Sequence, residues 1–297
     1  YDDVGSWKVS HLFHDEMRES GIEVRGFLKV RFPRFARKVN YRNHRKMVVI
    51  DGVIGFVGGM NIAERYLKGV PWGVWKDIMM KVEGKAVYGI QTAFLTDWYA
   101  TDHSLITSSV YFPRMNHEGV SLMQVVTSDP VGNWRDIMQG LLLAITSAQK
   151  YIYVQTPYLL PTEPILVALK TVALAGVDVR IMIPKKSDSQ AIHWGTLSYL
   201  SELMEAGVKI YMYKKGFLHS KLMVSDDCLA TVGSTNMDFR SFESNFEINA
   251  FMYDRTSALK LKDVFLSDQK DAKLIHLGKW HMRPWSQKVK ESVIRLF

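Results

Sequence analysis

The chain has 297 residues, 47% of them apolar and 23% charged, which excludes a disordered, collagen-like or multispan membrane chain and leaves room for two domains. One cysteine, Cys228, excludes an internal disulfide and a cysteine-rich zinc site, and no apolar run reaches the ~18–20 residues of a spanning helix. The net charge of +8 is concentrated. Residues 24–50 hold nine basic residues (Arg25, Lys29, Arg31, Arg34, Arg37, Lys38, Arg42, Arg45, Lys46) and no acidic one, and the other 29 basic residues are balanced by 30 acidic ones. Such a field points to an anionic partner, and the interleaved Phe27, Phe32, Phe35 and Tyr41 suit a lipid headgroup surface or stacking on single-stranded bases.

In chain order, the pattern predicts a helix over 9–20, a strand over 23–27 and a hairpin formed by 46–50 and 53–57, with Asp51-Gly52 as its turn. A polar stretch at 114–119 marks the boundary between domains 1–118 and 119–297. The second part predicts helices over 134–149, 164–175 and 192–206, and strands over 151–155, 178–183 and 209–213. Another hairpin follows, turning at Asp226-Asp227. Cys228 reads as a core strand residue, and 288–295 as an amphipathic packing segment.

The two hairpins are copies. His44-x-Lys46-x4-Asp51 recurs 175 residues later as His219-x-Lys221-x4-Asp226, and Gly58-Gly59-Met60-Asn61 aligns with Gly233-Ser234-Thr235-Asn236. Two-residue turns place Gly59 opposite His44 and Ser234 opposite His219, where a small residue leaves a ligand room to approach backbone N–H groups. Alternation puts each His and its Lys on one face. Against the second copy, the first lacks about fifty residues at its start.

Alternating strands and helices predict an α/β fold with a mixed sheet flanked by helices in each half, the halves related by a pseudo-two-fold with the active site between them. A neutral imidazole attacks phosphorus and a protonated one supplies the leaving alkoxide's proton, giving a bell-shaped pH dependence. Lys46 and Lys221 stabilise the added charge. Gly59, Asn61, Ser234 and Asn236 are candidates to bind the substrate phosphate. Asp77 and Glu247, in matching places beyond the hairpins, are candidates to orient the imidazoles. No metal or cofactor is called for. Trp7, Trp72 and Trp75 flank the motif loops as candidate membrane-interface residues.

These motifs, with Gly5-Ser6-Trp7-Lys8, residues 155–161 and 233–241, resemble the phospholipase D superfamily, and within it the bacterial cardiolipin synthases, over nearly the whole chain. The resemblance implies transfer of a phosphatidyl group between two phosphatidylglycerol molecules, with His44 as nucleophile, His219 as acid and then base, and Asp51 and Asp226 as third motif residues. It also implies a bacterial membrane location, with an anchoring region ahead of this portion. The basic segment would then hold anionic lipid rather than nucleic acid, since a nuclease would carry positive charge on both sides of its cleft. The rivals are another phosphodiesterase or phosphatidyltransferase of the superfamily, such as a phospholipase D or phosphatidylserine synthase, and a catalytically silent membrane-binding module.

Overall fold

The computed structural model describes residues 1–29, 40–115 and 119–295. Its strands are β1 (Arg42–Asn43), β2 (Met47–Ile50), β3 (Ile54–Gly58), β4 (Val74–Lys76), β5 (Met79–Glu83), β6 (Met123–Ser128), β7 (Tyr151–Gln155), β8 (Leu159–Leu160), β9 (Asp178–Pro184), β10 (Lys209–Tyr213), β11 (Gly216–Leu218), β12 (Leu222–Ser225), β13 (Leu229–Gly233), β14 (Met237–Asp238), β15 (Asn245–Met252) and β16 (Ala272–Leu274).

The main sheet runs β1-β15-β13-β12-β7-β9-β10-β16, with β6 also paired to β15. Strands β7, β9 and β10 are parallel, so each connection needs a crossover, and the helices Glu163–Leu174 and Gln190–Glu205 supply it. Every residue of β7 is buried, as expected of a strand covered on both faces. One face carries Ile165, Leu169, Leu200 and Leu203 from these two helices, and the other carries Ala258 and Phe265 from the helix Arg255–Gln269. Each such large apolar side chain contributes roughly 1.5–3 kcal/mol by leaving water.

The mixed sheet with flanking helices is complete in the second half. The first half contributes a three-stranded antiparallel sheet, β2-β3-β5, backed by the helix Val87–Asp102. The strand expected over 23–27 is reduced to a single bridging pair, Phe27 with Asp2. The helix expected over 9–20 forms at His11–Glu19, where the Ser10 hydroxyl accepts from the Leu12 N–H and satisfies a free donor of the first turn.

Both motif hairpins differ from expectation by one residue. Their loops span three residues, 51–53 and 226–228, because Asp51, Gly52, Asp226 and Asp227 all take left-handed φ values. Aspartate and glycine tolerate that region best. Cys228 consequently lies exposed in a loop instead of in a core strand.

Two short parallel pairings join the halves: β1 with β15, and β4 with β11. Val57, Val82 and Ile90 of the first half also share a core with Ile248 and Ala250 of β15. These contacts decide which side chains can meet at the interface.

Candidate active site

The two pairings are mirror versions of one device. The His44 N–H donates to the carbonyl of Phe246, the residue before Glu247, at 2.9 Å, and the His219 N–H donates to the carbonyl of Lys76, the residue before Asp77, at 2.6 Å. Each histidine therefore meets a carboxylate from the opposite half. His44 Nδ1 lies 2.9 and 3.0 Å from the two carboxylate oxygens of Glu247, and His219 Nδ1 lies 2.5 Å from Asp77 Oδ2. A carboxylate at Nδ1 selects the tautomer with its proton there, which leaves Nε2 with a free lone pair.

The lysines complete the cluster. Lys46 and Lys221 are buried, and each ammonium donates to the carbonyl of its own motif histidine, at 2.6 and 2.5 Å. Lys221 Nζ also stands 3.0 Å from His219 Nδ1. The Lys221 charge acts on His44 and the Lys46 charge acts on His219, so the two hairpins share one electrostatic site.

Burial dominates the titration of the four bases. It lowers His44, and with the Lys221 charge it lowers His219 to about 3, against the raising effect of the carboxylates. It also lowers Lys46 to about 7 and Lys221 to about 8. For the acids, burial works upward but is outweighed: His44, Lys46 and Ser234 hold Glu247 down at about 2, and His219 with Lys221 holds Asp77 below its ordinary value. Anionic acids beside neutral imidazoles are the resting state at neutral pH.

The surroundings of the two imidazoles differ. Trp75 and Phe217 pack on the His219 ring at centroid distances of 5.3 and 5.9 Å, and Arg65 lies over Trp75 at 4.5 Å. The His219 side chain is 7% exposed and that of His44 is 26% exposed. Trp75, expected as a candidate interface residue, is instead part of this wall, whereas Trp7 is exposed.

Residues 141–269 match the family model described as cardiolipin synthase, PLD-like domain. A cardiolipin synthase of Geobacillus (strain WCH70) is 46% identical over 299 residues, aligning with 100% of this chain and 60% of its own length. The chain is similar to this enzyme along its whole length, and residues 141–269 carry the PLD-like domain. The major cardiolipin synthase of Bacillus subtilis (strain 168) is 41% identical, covering 100% of this chain and 62% of that relative. The chain thus spans about three fifths of the length of these relatives. The solved phosphatidylserine synthase of Haemophilus influenzae shares the fold, with a TM-score of 0.66 at 16% identity over 88% of this chain and 69% of the other.

Within the two His-x-Lys motifs and the loops that follow them, several residues stand differently from expectation. The backbone N–H groups of Gly59 and Ser234, expected to be open to a ligand, donate to the carbonyls of Ile78 and Ile248, both at 2.9 Å. The Ser234 hydroxyl donates to Glu247 Oε2, and Asn245 Nδ2 donates to Glu247 Oε1 at 3.0 Å, so Ser234 holds a carboxylate. Gly59 makes room: a Cβ there would run into the Asp77 carboxylate. Gly59→Ser is therefore expected to displace Asp77 from His219, lowering turnover by about 100-fold through lost orientation and stability by about 1–3 kcal/mol through overpacking. Steady-state kinetics with thermal unfolding would check both.

Asp226 does not join the imidazoles, because β12 separates its hairpin tip from His219. Its carboxylate accepts the backbone N–H groups of Gln149, Lys150 and Tyr151 at 2.7, 2.9 and 2.8 Å, anchoring the start of β7. Asp51 occupies the exposed tip of the first hairpin. Asn236 is buried with its side-chain oxygen unpartnered, and Asn61 is half-buried with Nδ2 3.5 Å from the Tyr66 hydroxyl.

The basic segment is only partly a surface. Arg45 is buried on Asp97, Arg25 bonds Asp102 at 2.8 Å, and Phe27 is core, edge-on to Phe246 at 5.0 Å. Arg31, Phe32, Arg34, Phe35, Arg37 and Lys38 lie outside the described residues.

Proposed function

We propose that the chain is the catalytic portion of a cardiolipin synthase, moving a phosphatidyl group from one phosphatidylglycerol to another. The observation that carries this reading is the reciprocal pair His44–Glu247 and His219–Asp77, beside two buried lysines on a shared interface. The names of the relatives supply the substrate class.

In this reading, Nε2 of neutral His44 attacks the phosphorus of the first phosphatidylglycerol. The phosphorus–oxygen bond to the glycerol headgroup breaks, and glycerol takes a proton from Nε2 of His219. Entry of the anionic phosphodiester favours that protonated form. A headgroup hydroxyl of the second phosphatidylglycerol then gives its proton to His219 and attacks phosphorus. The phosphorus–nitrogen bond breaks, its electron pair returns to His44, and cardiolipin leaves. Lys46, Lys221, Asn61 and Asn236 stabilise the five-coordinate phosphorus. Asp51 and Asp226 support the hairpins.

The enzyme acts at a bacterial membrane surface on anionic phospholipid, and nucleic acid is not its substrate. Among the described residues no helix is long and apolar enough to cross a membrane. Lipid products made from phosphatidylglycerol vesicles test the reading: cardiolipin with equimolar glycerol is expected, and phosphatidic acid alone would instead mark a hydrolase.

The pH profile follows from the cluster. As pH falls below the ordinary histidine range, His44 gains a proton and loses its nucleophilic lone pair. As pH rises through about 7 to 8, Lys46 and Lys221 lose the charge that stabilises the transition state. A plot of kcat/KM against pH should be a bell whose alkaline limb lies well below the ordinary lysine value of 10.5. Retention of activity to pH 10 would contradict the assignment of the lysines.

A further inference from the structure

Asp77 lacks the support that Glu247 has. Glu247 receives the Ser234 hydroxyl, and the aligned position in the first copy is Gly59, where a Cβ would collide with Asp77. The first copy supplies an O–H group from elsewhere. Tyr66, on the short helix Arg65–Lys68, places its hydroxyl 3.1 Å from Asp77 Oδ2, 3.4 Å from His219 Nδ1 and 3.4 Å from the Gly59 carbonyl. The position 175 residues later is Ser241, whose hydroxyl accepts the Asn236 N–H at 3.3 Å and serves the motif loop. Thus the same place in the repeat carries a phenol only where the carboxylate needs a donor.

The phenol is held. Its ring meets Trp75 edge-on at 6.0 Å, and Trp75 packs on both Phe217 and His219. Asp77 Oδ1 accepts the Ile78 N–H at 2.8 Å, leaving Oδ2 to His219 and Tyr66.

We propose that Tyr66 is a positioning residue for the Asp77–His219 pair, its hydroxyl donating to Asp77 Oδ2 as the Ser234 hydroxyl donates to Glu247 and thereby setting how strongly Asp77 holds His219. The effect on turnover rests on the functional reading above; the effect on the His219 hydrogen bond does not. Burial and the Asp77 charge both raise the phenol's pKa, keeping it a donor.

The test is Tyr66→Phe in the full chain, read in two ways. With 15N-labelled histidine, removal of the competing donor should strengthen the His219 Nδ1–H bond to Asp77 and move that proton downfield, with the His44 Nδ1–H resonance unmoved. With short-chain phosphatidylglycerol, kcat should fall about tenfold with KM little changed, and the inflection of the kcat profile that reports His219 should shift upward while the one set by His44 stays in place. Should Tyr66→Phe fail to fold, shown by loss of the His44 resonance, 3-fluorotyrosine at position 66 preserves the ring, strengthens the donor and should move the His219 proton upfield. An unmoved His219 resonance in the folded variant overturns the proposal. A moved resonance in a chain that makes no cardiolipin would support the positioning role and refute the functional reading instead.

Discussion

Replacing either His44 or His219 with alanine is expected to lower phosphatidyl transfer about 10⁴-fold or more, and replacing both should cost scarcely more than one. The reason is that each half supplies one member of an acid and nucleophile pair, on hairpins coupled through Lys46 and Lys221. The loss of one member disables the step that the other serves, so the effects cannot add. Single-turnover measurements on labelled phosphatidylglycerol would separate the roles: without His44 no glycerol should be released at all. Two independent, multiplicative losses would mean that the histidines serve separate sites.

Glu247→Gln is expected to be nearly as damaging, with a loss of about 10²–10⁴-fold by analogy with the orienting carboxylate of hydrolase triads. Glu247 is fully buried and accepts at both oxygens, from His44, Ser234 and Asn245. An amide can present its NH2 group to His44 Nδ1, which reverses the tautomer and turns a proton on Nε2 toward the phosphorus. It also removes a charge that compensates buried Lys46, so the variant should unfold at a lower temperature. The loss should fall on kcat, since Glu247 lies behind the imidazole rather than against substrate. If Glu247→Gln changed KM alone, the carboxylate would be binding substrate directly.

The sequence carried the repeat, the two hairpins and the matching places of Asp77 and Glu247, because each is a local pattern. It could not assign each carboxylate to its histidine. That exchange across the interface depends on β1 lying beside β15 and β4 beside β11, pairings between residues far apart in the chain. Register failed by one residue because Asp226-Asp227, like Asp51-Gly52, adopts left-handed geometry within a three-residue loop. Ser234 and Gly59 were read as ligand contacts because their smallness was visible, whereas the carboxylates they accommodate were not. Tyr66 had a signal, since it aligns with Ser241 directly after the matched pair Arg65 and Arg240. Strand β6 escaped notice, although its pairing with β15 helps hold the Glu247 strand.

The central claim is that transfer passes through a covalent phosphatidyl-histidine, and the stereochemistry at phosphorus tests it most directly. With a phosphatidylglycerol made chiral at phosphorus by isotopic or sulfur substitution, two successive in-line displacements, on and off His44, should give a product with net retention of configuration. Net inversion would show a single direct displacement by the acceptor hydroxyl and contradict the account.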